Sequence, residues 1–308
     1  MKNLKTKLLL HPYELNREWV DCFARHGVDV LGLHPEGGGD AHLKLHESLE
    51  CMATPKYRDA IDYAKSLGMT VEYEVHCLSY LLPRELFAEH PEWFRMNADG
   101  ERVEKRNLCV SNTEALDYVA DRAAEFVKLL YGSSSNYYLW LDDVKGSFCQ
   151  CPRCRDLSPS DQNLTVMNAI LRRLKRDDPN ARLAYLAYYE CMELPKTVKP
   201  EDGIFLEYAP FERQIGKSAQ LVPDAEKENA KRLLDYFGRD GAWVLEYWYD
   251  NSWYVRRGTP FAVDNAVVAS DLRYYRELGF ENISSFACMM SNLVDGGNYP
   301  DFSGFNKQ

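Results

Sequence analysis

The chain has 308 residues, 45% of them hydrophobic, and a formal net charge of −10, with a pI of about 5.3. That is enough apolar sequence for one large core, while the acidic balance and the lack of any basic block argue against nucleic acid or an anionic membrane surface as partner. No apolar run approaches the length needed to span a bilayer.

The first ten residues carry lysines but only a stub of apolar sequence, a poor signal peptide that reads better as a first strand. A leader removed from a longer precursor stays open. Nine cysteines scattered over this length do not resemble a secreted disulfide framework. Reduced thiols with one local cluster fit a cytoplasmic compartment.

Apolar runs predict eight strands, at Lys7–Leu10, Val28–Leu33, Thr70–Val75, Tyr137–Leu141, Arg182–Ala187, Ile204–Tyr208, Trp243–Tyr247 and Ile283–Ala287. Helical periodicity lies between most of them, at Arg17–His26, Lys56–Leu67, Thr113–Leu130, Leu164–Arg176, Ala225–Phe237 and Ala266–Leu278. Gly27, Gly68 and Gly279 follow three of these helices, where a glycine stop is expected. Strands separated by helices pair in parallel, and eight of them suggest a closed (β/α)₈ TIM barrel, with a doubly wound open sheet as the alternative. The link Glu190–Glu201 is too short for a full helix, and little chain remains after Asn292, so the last helix is missing or irregular. One catalytic domain over residues 1–308 is expected. A long insertion at about 77–110, after the third strand, would help to build the pocket.

In such a barrel the functional side chains sit at the C-terminal ends of the strands. Those ends here offer His11, His34 with Glu36, Glu74 with His76, Asp142 with Asp143, and Tyr188 with Tyr189 and Glu190. The later strands add Glu207 with Tyr208, Glu246 with Trp248 and Asp250, and the segment Met289–Asn292. Polar groups interleaved with aromatics suit a sugar, whose C–H faces stack on rings while its hydroxyls are hydrogen-bonded. His11, His34, Glu74, His76, Tyr188, Glu207, Tyr208, Trp248 and Asn292 are therefore candidate substrate-binding residues, and the expected partner is a carbohydrate. Any one of these positions could equally be an isolated polar group at a strand end, and Trp140 a core residue.

The sharpest pair is Asp142-Asp143, which ends the apolar run Tyr138-Leu-Trp-Leu. One carboxyl kept neutral by its neighbour could donate a proton to a glycosidic oxygen while the other holds a substrate group. The plainer alternative is a loop cap and a helix-dipole partner. Glu246, ending the seventh strand, is a third catalytic candidate, and Glu207 a further one, for which gripping a sugar hydroxyl is as fitting a role as catalysis. A catalytic metal on His11, His34 and His76 would need ligands from later strands, yet all seven histidines precede residue 91. The glycine-rich His34-Pro-Glu-Gly37-Gly-Gly39 lacks the Lys-Ser/Thr of a phosphate loop and fits a close backbone approach to a ligand better.

The segment Leu139-Trp-Leu-Asp-Asp-Val144 resembles the double-Asp motif of the O-GlcNAcase type of hexosaminidase. With His90-Pro-Glu-Trp-Phe94 and the cysteine cluster, the outline over residues 5–290 is similar to uncharacterised barrel families near the hexosaminidases, endo-β-N-acetylglucosaminidases and α-glucuronidases. The resemblance implies a retaining, substrate-assisted reaction on an N-acetylhexosaminide. Asp142 would orient the acetamide, Asp143 would be the acid/base, and no organic cofactor would be needed. The competing layout is similar to the clan of the β-galactosidases, with Asp143 and Glu246 as the carboxyl pair on a sugar lacking the acetamide. That clan has Asn-Glu where this chain has Asp-Asp. A barrel that binds sugar without turnover is the third reading.

Cys149-Gln-Cys151-Pro-Arg-Cys154 offers three thiolates in one loop, and Cys109, after the long insertion, would emerge on the same face. Structural zinc takes four such ligands. A zinc-bearing subset of the β-galactosidases resembles this order and spacing, which implies a structural zinc on Cys109, Cys149, Cys151 and Cys154. Buried free thiols are the alternative.

Overall fold

A computed structural model describes residues 4–211, 217–294 and 298–305. Eight parallel strands close into a barrel in sequence order: β1 (Lys5–Leu10), β2 (Val30–Leu33), β3 (Thr70–His76), β4 (Asn136–Trp140), β5 (Arg182–Ala187), β6 (Ile204–Tyr208), β7 (Trp243–Glu246) and β8 (Asn282–Phe286). Closure is the pairing of β1 with β8, from Lys5 opposite Asn282 to Leu9 opposite Phe286.

The outer layer holds α1 (Arg17–Arg25), α2 (Ala41–Met52) and α3 (Pro55–Ser66). The four-residue α4 (Leu78–Leu81) follows β3, and α5 (Thr113–Phe126) and α6 (Pro159–Asp177) flank β4. Then come α7 (Asp224–Phe237), α8 (Ser252–Arg257) and α9 (Asn265–Leu278). Among the described residues β5 is followed only by a short 3₁₀ turn at Tyr189–Met192, and β8 by two more, so the expected gaps in the helical ring are there. The helix α2 was not expected. Its charged and small residues give weak helical periodicity, and a partner surface on α3 and β3 stabilises it. No described helix is long and apolar enough to cross a membrane.

Side chains alternate across each strand. One set packs outward under the helices. The other fills the barrel, including Leu9, Val30, Tyr138, Trp140, Phe205 and Trp243. Gly32 on β2 belongs to the inner set because a Cβ there would lie 2.7 Å from Leu9 Cγ.

The barrel also encloses a charged network. Lys7 Nζ lies 2.8 Å from Glu72 Oε2 and 2.6 Å from Glu74 Oε1, with all three side chains fully buried. The ammonium sits over the rings of Tyr138 and Trp243, 3.8 and 4.1 Å from their centroids. A buried ion pair is tolerated only with such additional partners.

Candidate active site

The C-terminal ends of the strands surround a cavity of about 350 Å³. It is lined by His34, Trp140, Leu186 and Phe286, and by the rings of Tyr188, Tyr247 and Trp253. Three carboxyl groups line it, those of Glu36, Asp143 and Asp250, with Arg256 at the rim. This mixture of aromatic faces and a few convergent polar groups is that of a small-molecule site.

The two adjacent aspartates part company because β4 ends at Trp140 and the chain bends before them. Asp143 lines the main cavity. Its Oδ2 accepts from the Gly38 N–H at 2.7 Å and its Oδ1 from the Tyr188 hydroxyl at 3.1 Å. The glycine-rich loop is thereby explained: a Cβ on Gly37 would stand 2.9 Å from Asp143 Oδ2. The close approach is to a side chain of the site.

Asp142 turns the other way. It accepts from the Ser79 N–H at 2.9 Å and the Ser79 hydroxyl at 2.6 Å, at the start of α4. It lines a side pocket of about 40 Å³ that shares His76, Trp140, Leu186 and Tyr188 with the main cavity. Tyr189 adopts a positive φ of 47°, and this backbone turn lets both Tyr188 and Tyr189 face the cavity, their centroids 3.9 Å apart.

The remaining expected residues divide into four sets. His11, His34 and His76 line the cavity together with Tyr188. Glu74 and Glu207 point into the barrel but lie beneath the cavity, fully buried. Glu207 Oε2 accepts from Trp140 Nε1 at 2.9 Å. Burial and the neighbouring Glu74 push its carboxyl well above the usual range. The third set faces outward. Glu246 accepts from the Tyr275 hydroxyl on α9, Trp248 Nε1 donates to Asp271 at 3.1 Å, and Tyr208 stacks on Phe280. Glu246 is thus on the helix side of β7, away from the cavity. Asn292 is exposed on the rim, where its Oδ1 accepts from Asn251 Nδ2 at 3.2 Å.

One important residue carried no sequence signal, and another only a weak one. Glu14 is buried and accepts from the N–H groups of Met289, Met290 and Ser291 at 2.8, 2.7 and 3.0 Å. It holds the loop after β8 against the loop after β1. Asp250 stood out only as one of several polar groups after β7. Burial raises its carboxyl above the ordinary aspartate range, which favours a protonated form.

Cys109, Cys149, Cys151 and Cys154 come together, with all four sulfurs within 4.8 Å of one another. Cys109 Sγ is 3.7 Å from Cys151 Sγ and 3.9 Å from Cys154 Sγ. Four sulfurs about 2.3 Å from a tetrahedral zinc stand roughly 3.8 Å apart. The Met96 N–H points at Cys149 Sγ from 3.3 Å. Buried Gln162 clamps the loop through the Cys149 N–H at 2.9 Å and the Cys149 and Cys154 carbonyls at 3.1 and 3.2 Å. None of the nine cysteines is in a disulfide.

Solved structures share the fold at very low identity. One holds the GH20 catalytic modules of the pneumococcal exo-β-D-N-acetylglucosaminidase StrH, at 11% identity over 98% of this chain and 82% of that one, with a TM-score of 0.54. A β-galactosidase from the psychrophilic Marinomonas ef1 matches at 12% identity over 92% of this chain and 54% of its own, with a TM-score of 0.53. The cellulose synthase subunit Z of Clostridioides difficile matches at 8% identity over 98% of both chains, with a TM-score of 0.51. At these identities the likeness is one of fold, the TIM barrel. No curated protein matches the sequence. A family profile does match residues 44–291, that of a domain of unknown function, and the chain belongs to this family, DUF4838.

Proposed function

We propose that the chain is a retaining glycoside hydrolase that cleaves an N-acetylhexosaminide with the substrate's own acetamide as nucleophile. The observation that carries this reading is the placement of Asp143. It presents its carboxyl into an aromatic-walled cavity, with orientation fixed by the Gly38 N–H and the Tyr188 hydroxyl.

In the first step Asp143 gives its proton to the glycosidic oxygen as the C1–O bond breaks, and the acetamide oxygen closes on C1. In the second, Asp143 takes a proton from the water that reopens that ring. The acetamide would enter the side pocket beside Asp142. A carboxylate has about four acceptor positions, so Asp142 can take the acetamide N–H while it keeps Ser79.

A second reading is favoured by one observation, the burial that raises Asp250. A carboxyl that burial keeps protonated suits the acid role. Asp250 would then be the acid and Asp143 the base or nucleophile, on a sugar without the acetamide. Asp250 replaces Glu246 in that layout because Glu246 lies on the helix side of its strand.

The test is a panel of aryl glycosides with and without the 2-acetamido group, run on wild type, Asp142→Asn, Asp143→Asn and Asp250→Asn. Turnover confined to acetamido sugars, lowered by about 10²–10⁴ in Asp143→Asn and strongly in Asp142→Asn, is the expected result. Turnover of plain sugars lost in Asp250→Asn selects the second reading. Sugar binding without turnover would instead mark a binding barrel, and a protein that binds no acetamido sugar or thiazoline analogue sinks the first reading.

We also infer that the four-cysteine cluster holds a structural zinc. The sulfur spacing and the N–H aimed at Cys149 suit thiolate ligands. Four sulfurs leave no open coordination position, so the ion would brace the loop after Asp142-Asp143 and take no part in the reaction.

A further inference from the structure

A histidine stands at or just past the end of each of three consecutive strands, and each ring is held in the same way. His11 Nδ1 lies 2.7 Å from the His34 carbonyl oxygen, His34 Nδ1 2.8 Å from that of Glu74, and His76 Nδ1 2.6 Å from that of Leu141. Each ring therefore reaches across to the next strand in the barrel or its continuation. A carbonyl oxygen only accepts, so all three Nδ1 atoms carry hydrogen. In a neutral ring that leaves Nε2 as a bare acceptor. Burial and the flanking rings of His76 and His11 hold the pKa of His34 well below the usual imidazole value, which keeps it neutral.

The three residues are 5%, 6% and 9% exposed, yet all three line the cavity. Successive centroids are 6.1 and 6.0 Å apart. Among the described residues the only group of three or more potential ligand atoms close enough to share one metal ion is the cysteine cluster. The three rings therefore do not share one ion, and on a neutral ring each Nε2 is a separate acceptor at the cavity surface.

We propose that His11, His34 and His76 form an acceptor-only subsite that takes three free hydroxyl groups of a single terminal sugar. The inference rests on the glycosidase reading above and deepens it. A group that only accepts selects ligands that bring O–H or N–H donors and leaves ether and glycosidic oxygens without a partner. A pyranose with a 2-acetamido group and a glycosidic bond at C1 has three hydroxyls left. All three are free only when no further sugar is attached to it. The subsite therefore makes the enzyme exo-acting and sensitive to any substituent on that outer residue.

The experiment is ¹⁵N-edited NMR of the imidazole rings of the full chain, with N-acetylglucosamine as probe. Without sugar, His11, His34 and His76 should each show a protonated Nδ1 and a bare Nε2. A bare Nδ1 on His34 overturns the inference whatever the protein's activity. With sugar, the three Nε2 signals should move while those of His42, His46 and His90 stay. Each deoxy analogue should bind roughly 5- to 150-fold more weakly, as expected when a buried acceptor loses its partner, and should spare one Nε2 signal.

Turnover in the aryl glycoside panel with unmoved Nε2 signals overturns this subsite and leaves the glycosidase reading standing. Neither turnover nor sugar binding overturns both. His34→Gln, whose amide oxygen can stand near the Nε2 position, should retain more kcat/KM than His34→Leu. Equal losses in two folded variants would point to a packing role and refute the acceptor role.

Discussion

Glu207→Gln should make the protein more stable at neutral pH without loss of sugar binding. Glu207 is fully buried. Its Oε2 takes the Trp140 N–H at 2.9 Å, and its Oε1 has no hydrogen-bond partner. Lys7 already faces Glu72 and Glu74, so one ammonium serves three carboxyls. Lys7 and hydrogen bonds from Asn136 and Tyr138 hold Glu72 below the ordinary range, while burial holds Glu74 above it and Glu207 well above it. The Glu74–Glu207 pair therefore retains a proton that the unfolded chain releases near pH 4.3.

A carboxyl raised in the folded state gives its full stability below the unfolded value and loses it as pH climbs toward the folded one. The loss is about 1.4 kcal/mol per pH unit for one proton. Between pH 4.3 and 7 it reaches at most about 4 kcal/mol, and glutamine, which never ionises, escapes it while still accepting from Trp140. At about 2–4 °C per kcal/mol for a domain of this general size, the gain in Tm is at most roughly 8–16 °C at pH 7 and vanishes near pH 4.3. Thermal unfolding of both proteins across pH 4–8 measures it. A difference that is absent at pH 7, or independent of pH, would show that Glu207 carries no such proton. A large loss of kcat/KM would show that it reaches the substrate after all.

Lys7→Met should be the opposite case, leaving Glu72 and Glu74 without their cation at a cost of about 3–5 kcal/mol, read from urea unfolding; a change below about 1 kcal/mol would refute the network. Glu14→Ala should orphan four main-chain N–H groups, those of His11, Met289, Met290 and Ser291, at about 1–3 kcal/mol each, lowering the urea midpoint. An unchanged midpoint would mean that the loop after β8 has other acceptors. Elemental analysis should find about one zinc per chain, reduced in Cys151→Ser together with Tm; full stability of metal-free protein would refute the structural role.

The barrel was legible because each strand is a short apolar run and most are set off by amphipathic helices, a local pattern that needs no tertiary information. The cysteine cluster was legible for a similar reason, since three of its members are within six residues of one another. Helix α2 was not, because its stability comes from what it packs against. Lys7 was also silent. As part of a strand it reads as an edge or surface residue, and only barrel closure brings it between Glu72 and Glu74.

For the site itself, the decisive information is which face of each strand turns inward, and a parallel barrel hides it. Both faces of β7 are apolar, Trp243 and Leu245 inward and Val244 outward, so period-two alternation separates Glu246 from Tyr247 without saying which reaches the cavity. The same ambiguity put Tyr208 and Trp248 among the sugar contacts, when they pack under the helices. Beyond the last ladder residue even the alternation fails. Straight continuation of β4 would send Asp142 inward with Tyr138 and Trp140. The bend after Trp140 instead gives Asp142 to Ser79 and delivers Asp143 to the cavity. The contacts that hold the two side chains apart are distant in sequence, the Gly38 N–H on Asp143 being 105 residues away and Ser79 on Asp142 63 residues away. The histidines escaped the ambiguity because inward-facing His11, His34 and His76 each stand at or just past a strand end, where an imidazole can bond to the neighbouring strand's carbonyl.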